Sequence, residues 1–249
     1  MDPGPRPRPA SKRIPPTLAA IVLATLAASR CGPATAQVAG RIGVQSDYEV
    51  RGASVSRNRP VGMLDMSYDS LSGVYLNGVA FGALPDHGYA GLVGIIGNLG
   101  YVRRLNLEVS VDAGVSHTEY INVGPTGYRV DYTELYAGLA SRRLSARLYY
   151  SPDYFRSGDQ TLYGEVAGGL DLPAGFRLNA HVGLLGYLDR AAGYPPERIQ
   201  YDWLVAASRQ FGSFDVRVAV SGGGPGRNTD YYYPPRAGTE VVIGAGYAF

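Results

Sequence analysis

The sequence predicts an all-β chain: a transmembrane antiparallel β-barrel of about 12 strands, with both termini periplasmic, preceded by a cleaved signal peptide. Three observations lead to this prediction. The amino terminus has the pattern of an export signal, segments of about ten residues alternate between apolar and polar side chains, and the last such segment ends at Phe249. The repeat is two residues throughout, which is the period of a strand and not of a helix.

The amino terminus has the three parts of a secretory signal. Lys12 and Arg13 precede an uncharged apolar stretch over 18–28, and a small-residue site ends at Ala36. We expect cleavage after Ala36, so 1–36 is the predicted signal peptide and 37–249 the predicted outer-membrane β-barrel. Cys31 is the only cysteine and leaves with the signal, which excludes disulfides, thiol nucleophiles and thiolate metal sites from the mature chain.

Composition narrows the possible partners. Residues 37–249 carry 18 basic and 20 acidic side chains, so the mature chain has no basic field of the kind that holds nucleic acid, and we expect no nucleic-acid partner. The spacing of His, Asp and Glu predicts no metal site, and no phosphate-binding or dinucleotide motif predicts a cofactor. The chain is rich in Gly and Tyr, with 34 Gly, 20 Tyr and a single Trp. Its composition shows no linker and no shift along the mature chain, which indicates one domain.

The predicted strands have two chemically distinct faces, except 74–83, whose faces the alternation does not assign. Segment 105–117 is the clearest, because an unbroken apolar stripe opposes Glu108 and Asp112. Segment 240–249 places Val241, Ile243 and every second residue to Phe249 on one apolar face. In chain order the predicted strands are 41–51, 64–68, 74–83, 90–101, 105–117, 130–141, 144–150, 162–172, 176–184, 200–211, 214–221 and 240–249.

The predicted connections alternate in length, as expected of an outer-membrane barrel. The short ones, on the periplasmic side, are 70–73, 103–104, 141–143, 173–175 and 212. The longer ones, on the outer side and rich in Gly, Pro, Asn and Tyr, are 52–60, 85–90, 119–129, 190–199 and 223–238. Aromatic residues near the strand ends on the apolar face, such as Tyr48, Tyr68, Trp203 and Tyr247, are predicted to lie at the membrane interface.

Charged side chains collect on the other face, which is the pattern of a lumen and not of a lipid-facing surface. The predicted lumen residues are Asp47, Glu49, Arg51, Glu108, Asp112, Glu134, Arg147, Glu165, Arg177, Asp215, Arg217 and Glu240. Such charges either line a narrow channel and influence ion passage, or pair with one another and fill the barrel. Both signs occur among these residues, which argues against strong ion selectivity.

One stretch resembles a known family. Residues 46–54 read Ser46-Asp47-Tyr48-Glu49-Val50-Arg51-Gly52-Ala53-Ser54, and Pro60, Asp65, Tyr68 and Gly73-Val74-Tyr75 follow. This is similar to the first hairpin of the TorF-type porin family, a Gcw-type conserved outer-membrane family of unknown function whose motif is Ser-Asp-Tyr, two residues, Arg-Gly, one residue, Ser. This chain departs from the expected pattern at Ala53 and Val55. The resemblance implies an outer-membrane location and a pore, without an established substrate.

The same motif can also be interpreted from strand alternation, independently of the family. Alternation along 41–51 sends Asp47, Glu49 and Arg51 to the lumen, where a carboxylate pairs with the guanidinium. The cluster either fixes the position of the first strand or lines a constriction.

The predicted function is therefore a porin or channel in the outer membrane of a Gram-negative bacterium, passing small hydrophilic solutes or ions through a narrow lumen. Its expected partners are outer-membrane lipid and the barrel assembly machinery, which reads the last strand with Tyr247 and Phe249. The alternative is a closed structural or surface-recognition barrel, for which 194–196 and 231–235 are Tyr- and Pro-rich candidate contact segments.

An enzyme is the less favoured prediction. A lipid hydrolase would need Ser and His together on the lipid face, but Ser116 and His117 are adjacent in a strand and point to opposite faces. His87 lies in a predicted loop, and His181 is the histidine predicted to face inward. We predict no catalytic residues, and His181 is the residue to test if that is wrong.

Overall fold

The computed structural model describes residues 37–83, 91–123, 128–190, 198–225 and 238–249. The predicted signal peptide, His87 and the Tyr- and Pro-rich segments 194–196 and 231–235 lie outside the described residues.

The described residues form fourteen strands and a short 3-10 turn. The strands are β1 Gln37–Gln45, β2 Glu49–Val50, β3 Ala53–Ser54, β4 Val61–Asp69, β5 Val74–Ala83, β6 Gly91–Arg104, β7 Ser110–Val123, β8 Tyr128–Ala140, β9 Leu144–Ser151, β10 Gln160–Asp171, β11 Phe176–Asp189, β12 Ile199–Phe211, β13 Phe214–Gly224 and β14 Thr239–Ala248, and the 3-10 turn is Pro173–Gly175. Within the described ranges no helix is long and apolar enough to cross a membrane.

Twelve of the strands, β1 and β4 to β14, form one closed antiparallel barrel. Each strand pairs with its neighbours in the chain, and β1 closes the ring by pairing with both β4 and β14. Gly40 N donates to Phe249 O at 3.0 Å and Phe249 N donates to Gly40 O at 2.9 Å, so the closing seam is hydrogen-bonded to the last residue. The predicted antiparallel β-barrel of about 12 strands is confirmed. Closure leaves no strand edge unpaired, which is what a strand-built membrane protein requires.

The two faces of the barrel differ as the alternation predicts. On β1, Ile42 and Val44 are exposed on the outside, Val44 by 62%, while Arg41 and Gln45 turn inward. On β14, Val241 and Ile243 are exposed outside and Glu240 turns inward. The outside of these strands is therefore an apolar surface that lipid can cover, and their polar side chains face the lumen.

The connections define two ends of the barrel. At the turn end lie both termini of the barrel and the short connections 70–73, 105–109 and 141–143. At the loop end lie the longer ones, including 46–60, which contains β2 and β3, and 152–159. Several predicted boundaries differ: Arg103 and Arg104 belong to β6, and most of 119–129 belongs to β7 and β8. The connection 152–159 falls between the predicted strands 144–150 and 162–172, as expected.

Candidate functional site

The chain between β1 and β4, residues 46–60, folds into the barrel, and we call it the inner loop. The sequence predicts a strand through Arg51, but β1 ends at Gln45 and the short hairpin of β2 and β3 follows inside. Ala53, Ser54, Val55 and Ser56 are buried. The predicted exposed loop 52–60 is therefore wrong for these four positions, because they pack inside the barrel mouth.

Hydrogen bonds within the inner loop hold its shape. The Asp47 carboxylate accepts from Ser54 Oγ at 2.7 Å and from Ser56 Oγ. Tyr48 N donates to Ser56 Oγ at 3.0 Å, and Val55 N donates to Tyr48 O at 2.8 Å. These bonds replace the ladder partners that the chain loses when it leaves the wall.

Two hydrogen bonds and one stacked ring pair hold the start of the inner loop against the wall. Ser46 N donates to Ile243 O at 2.8 Å, and Ile243 N donates to Ser46 Oγ at 3.0 Å. Tyr48 stacks on Phe81 of β5 with ring centroids 3.9 Å apart. Burial raises the pKa of Tyr48 to about 12. The prediction that Tyr48 lies at the membrane interface is wrong, since the side chain points into the barrel.

Arg51 reaches the opposite wall. Its Nη2 donates to Glu134 Oε2 at 2.8 Å and to Oε1 at 2.9 Å. The guanidinium carbon lies 3.9 Å from the ring centroid of Tyr163, 5.2 Å from that of Tyr154 and 5.5 Å from that of Tyr149. Tyr149 is on β9, which stands six places from β1 in either direction around the ring. The inner loop therefore crosses the lumen and is held there by an ion pair and three aromatic rings.

Gly52 brings the inner loop against β12 and β13. Its φ is +70°, and a Cβ at this position would lie 2.8 Å from Gly222 O and 3.0 Å from Asp202 Cβ. Both the left-handed backbone and the close approach require glycine. This explains the Arg-Gly pair of the motif, because the turn at Gly52 follows directly on the residue that is fixed to the far wall.

A layer of aromatic side chains fills the loop end beside the inner loop. Tyr120 stacks on Phe155 at 5.6 Å, Phe155 stacks on Tyr132 at 5.1 Å, and Tyr132 meets Tyr154 edge to face at 4.8 Å. Tyr154 and Phe155 come from the connection 152–159, so two connections fold inward and meet at this end. Alternation predicted neither inward fold, because the inner loop begins within the predicted strand 41–51 and 152–159 lies between two predicted strands.

The turn-end half of the lumen carries ion pairs that contact water. Arg41 donates to both carboxylate oxygens of Asp215, at 3.0 and 2.8 Å, and Arg147 Nη2 lies 2.7 Å from Asp112 Oδ2. The Arg41 and Asp215 side chains are 34% and 26% exposed. Further pairs are Arg41 with Asp65 at 3.9 Å and Arg177 with Asp171 at 3.1 Å.

The lumen contains cavities. One, of 320 Å³, lies against the inner loop and is lined by Asp47, Tyr48 and Glu49. Another, of 610 Å³, is lined by turn-end residues. Arg41 and Arg217 line both, so these two spaces adjoin. A further cavity, of 340 Å³, has His181, Leu204 and Arg217 in its lining.

The structure places eleven of the twelve predicted lumen residues inside the barrel. Asp47, Glu49 and Arg51 are there because the inner loop folds inward, and not by strand alternation. Glu108 is the exception: β7 begins at Ser110, and Glu108 is exposed in the turn before it. The others are wall residues on the inward parity, namely Asp112, Glu134, Arg147, Glu165, Arg177, Asp215, Arg217 and Glu240.

Sequence reasoning missed Asp202. This residue is 2% exposed on β12, and its Oδ1 lies 2.6 Å from His181 Nε2 and accepts from Tyr163 OH at 3.2 Å. Asp202 lies between Tyr201 and Trp203 in the alternating pattern of its strand, and this alternation could have predicted that its side chain faces inward. The expected separation of Ser116 and His117 is also observed, with Ser116 buried inside and His117 exposed outside.

The family assignment follows from a sequence comparison. The profile of a family described as "Bacterial protein of unknown function (Gcw_chp)" matches residues 28–222. The chain belongs to this family. The resemblance carried by 46–54 is thereby confirmed, and the structure gives that motif a physical role, since its residues build the inner loop. No curated protein matches the sequence.

Solved structures with a similar fold include two porins and an outer membrane channel. The KdgM porin is 15% identical with a TM-score of 0.51, over 85% of this chain and 99% of that one. The NanC porin is 12% identical with a TM-score of 0.54, over 86% and 99%. An outer membrane channel from Pseudomonas putida F1 is 15% identical with a TM-score of 0.54, over 90% and 98%. At such identities the likeness shows an outer-membrane porin-like fold.

Proposed function

We propose that this protein is a passive channel in the outer membrane of a Gram-negative bacterium, and that the inner loop forms its narrowest part. The solutes are small and hydrophilic, or ions. The observation that carries the proposal is the adjoining pair of cavities, 320 and 610 Å³, inside a closed barrel with an apolar exterior. The porin-like fold supports it.

The proposal includes a route to the membrane. Residues 1–36 are a signal peptide that is removed during export, the turn end faces the periplasm, and the assembly machinery reads β14 with Tyr247 and Phe249. The apolar outer face of β14 supports this, because Tyr247 and Phe249 are exposed beside the closing seam.

One observation favours the closed barrel as a second candidate. Glu134 is 3% exposed, and Arg51 pairs with it deep in the aromatic layer, so the loop end is densely filled where the two meet. A barrel that keeps this arrangement permanently passes little, and its function is then structural or adhesive.

An enzymatic role has less support. The comparable solved structures are named as porins and channels. The ring of His181, the histidine to test, is hydrogen-bonded through Nε2 to Asp202 Oδ1. His181→Ala in a hydrolysis assay on outer-membrane lipid tests the point, and activity that disappears with this substitution would contradict our proposal.

Single-channel recording decides between an open and a closed barrel. We expect the purified, refolded mature protein to give discrete current steps in a planar bilayer, with heat-denatured protein and detergent alone as controls. Silence from protein that circular dichroism shows to be folded would reject the channel and support the closed barrel.

Arg51→Ala then separates the two roles of the motif. A folded barrel with larger conductance or altered selectivity places the inner loop at the constriction. Failure to assemble assigns Arg51 to holding the fold instead.

A further inference from the structure

We infer that the 320 Å³ cavity beside the inner loop binds small zwitterions whose cationic and anionic groups are separated by a short apolar segment, as in an ω-amino acid. The inference names a solute class for the proposed channel and takes its biological meaning from that function. It depends on three features of the cavity: an acidic side, a basic side and an apolar belt between them.

The acidic side is formed by the inner loop. Asp47 is 6% exposed, and its Oδ2 has no hydrogen-bond partner among the described residues. Glu49 accepts from Ser221 Oγ, and no Arg or Lys of the described chain pairs with either carboxylate. A buried carboxylate oxygen without a partner is costly, and a bound ammonium group would relieve that cost.

Glu49 shows the effect of this crowding. Burial raises its pKa, the hydrogen bond from Ser221 offsets part of that rise, and repulsion from Asp47 and Glu240 adds to it. Asp47 and Glu240 are therefore each close enough to Glu49 to repel its charge. A cation in the cavity lies where it reduces this repulsion.

The basic side is Arg217. It is on the inward parity of β13 and exposed to the lumen, and it makes no hydrogen bond or ion pair with the rest of the described chain. The neighbouring Arg41 is already held by Asp215 and Asp65. A guanidinium without a carboxylate partner is a good ligand for a carboxylate group.

An apolar belt separates the two charged sides. It consists of Met63, Leu204, Ala219 and Val242, which line the same cavity. Arg217 and Ser221 are four residues apart on β13, about 13 Å along the strand, and Ser221 holds Glu49. The side chain of Arg217 extends over part of this distance, but the gap that remains is longer than the separation of the two charges in an α-amino acid. It fits a solute with several methylene groups between them.

Binding to the folded protein in detergent tests the inference without any need for conduction. The probes are ε-aminocaproate, caproate, hexylammonium and glycine, and saturation-transfer NMR or calorimetry measures their affinities. We expect ε-aminocaproate to bind at least about tenfold more tightly than each of the other three, because only it makes both charge-assisted contacts. Equal binding of caproate or glycine would overturn the inference.

Two reciprocal variants locate the contacts. Arg217→Gln should abolish the advantage of ε-aminocaproate over hexylammonium, and Glu49→Gln should abolish its advantage over caproate. Arg209→Gln is the matched control, because Arg209 is on the outer parity and lies over the rings of Phe176 and Phe211. If Arg217→Gln leaves the wild-type preferences intact, the site is not here. The probe series on the wild-type protein decides the question even if a variant does not fold.

Failure of the inference and failure of the proposed function give different results. Current steps without preferential zwitterion binding reject the site and leave the channel standing. Preferential binding in a silent barrel rejects the channel and leaves the site standing.

Discussion

The loop-end and turn-end halves of the lumen hold charge in different ways. At the loop end, Arg51 and Glu134 are almost fully buried beside aromatic rings, with side chains 9% and 4% exposed. At the turn end, Arg41 and Asp215 also form an ion pair with a shortest N–O distance of 2.8 Å, but their side chains are about one-third and one-quarter exposed.

Equal contact distances therefore do not mean equal consequences. Removal of one partner from a buried pair leaves a charge that water cannot reach, which costs about 3 to 5 kcal/mol. A partly exposed pair that loses one partner is rehydrated, and its loss costs roughly 0 to 1 kcal/mol. A single substitution at the loop end should therefore be enough to release the inner loop. The turn end should tolerate the loss of one charged side chain.

The largest effect is expected for Glu134→Ala. Arg51 would be left buried without a counter-charge, and the least costly response is for the inner loop to leave the lumen while the hydrogen-bonded wall stays intact. A penalty of about 3 to 5 kcal/mol shifts the loop equilibrium by roughly a hundredfold or more. Trypsin cleavage after Arg51 and Arg57, together with single-channel conductance, measures the release.

Glu119→Ala is the control for this variant, since Glu119 pairs with Arg129 on the outer face. It should change neither cleavage nor conductance. An inner loop that stays protected in Glu134→Ala would show that its own hydrogen bonds and Gly52 hold it without the ion pair.

The next effect is expected at Gly52, for which Gly212 is a matched comparison. Both have a positive φ, +70° and +65°, but a Cβ at Gly52 meets Gly222 O while a Cβ at Gly212 meets nothing within 4 Å. Alanine at Gly212 should cost roughly 1 kcal/mol of backbone strain, and at Gly52 about 1 to 3 kcal/mol with displacement of the inner loop. Urea unfolding and trypsin protection measure the two. Equal values would mean that the approach of Gly52 to the wall contributes nothing.

The wall of the barrel could be predicted from the sequence because its signal is local. Most wall strands show an alternation with a period of two, as in 176–184, and neighbours in the chain are neighbours in the ring. The inner loop could not, because Asp47, Glu49 and Arg51 continue the same alternation past the end of β1. What turns the chain inward is a partner 83 positions away, Glu134, which no local pattern reveals.

The charges of the lumen candidates misled in a similar way. The sequence shows eight acidic and four basic candidates, but it does not show which of them lie together. Asp47, Glu49 and Glu240 crowd together near the inner loop without a basic partner in the described chain, while Arg217 stands apart toward the turn end. A count of charges holds no information on their position along the lumen.

A smaller effect is expected from pH, through Glu49. Its pKa in the docked inner loop lies above the ordinary value, so docking takes up a proton. Above the raised pKa, Glu49 is ionised and its charge destabilises the docked inner loop. As the pH falls through the raised pKa toward the ordinary value, Glu49 is protonated and this destabilisation disappears. When the pH is lowered through this range, the docked inner loop becomes more stable and the conductance of the wild type should fall. Glu49→Gln should remove this pH dependence. A variant that keeps the full wild-type dependence would assign it to another group.

The smallest effect is expected for Asp215→Asn, which repeats the loop-end experiment in the other half. It removes the carboxylate that Arg41 contacts twice, but the guanidinium keeps Asp65 at 3.9 Å and is exposed to the lumen. Water and Asp65 compensate, so the free energy of unfolding should drop by less than about 1 kcal/mol, and the inner loop should stay protected from trypsin. A loss as large as that in Glu134→Ala would mean that the turn-end lumen is as dry as the loop end. The contrast between the two halves would then be wrong.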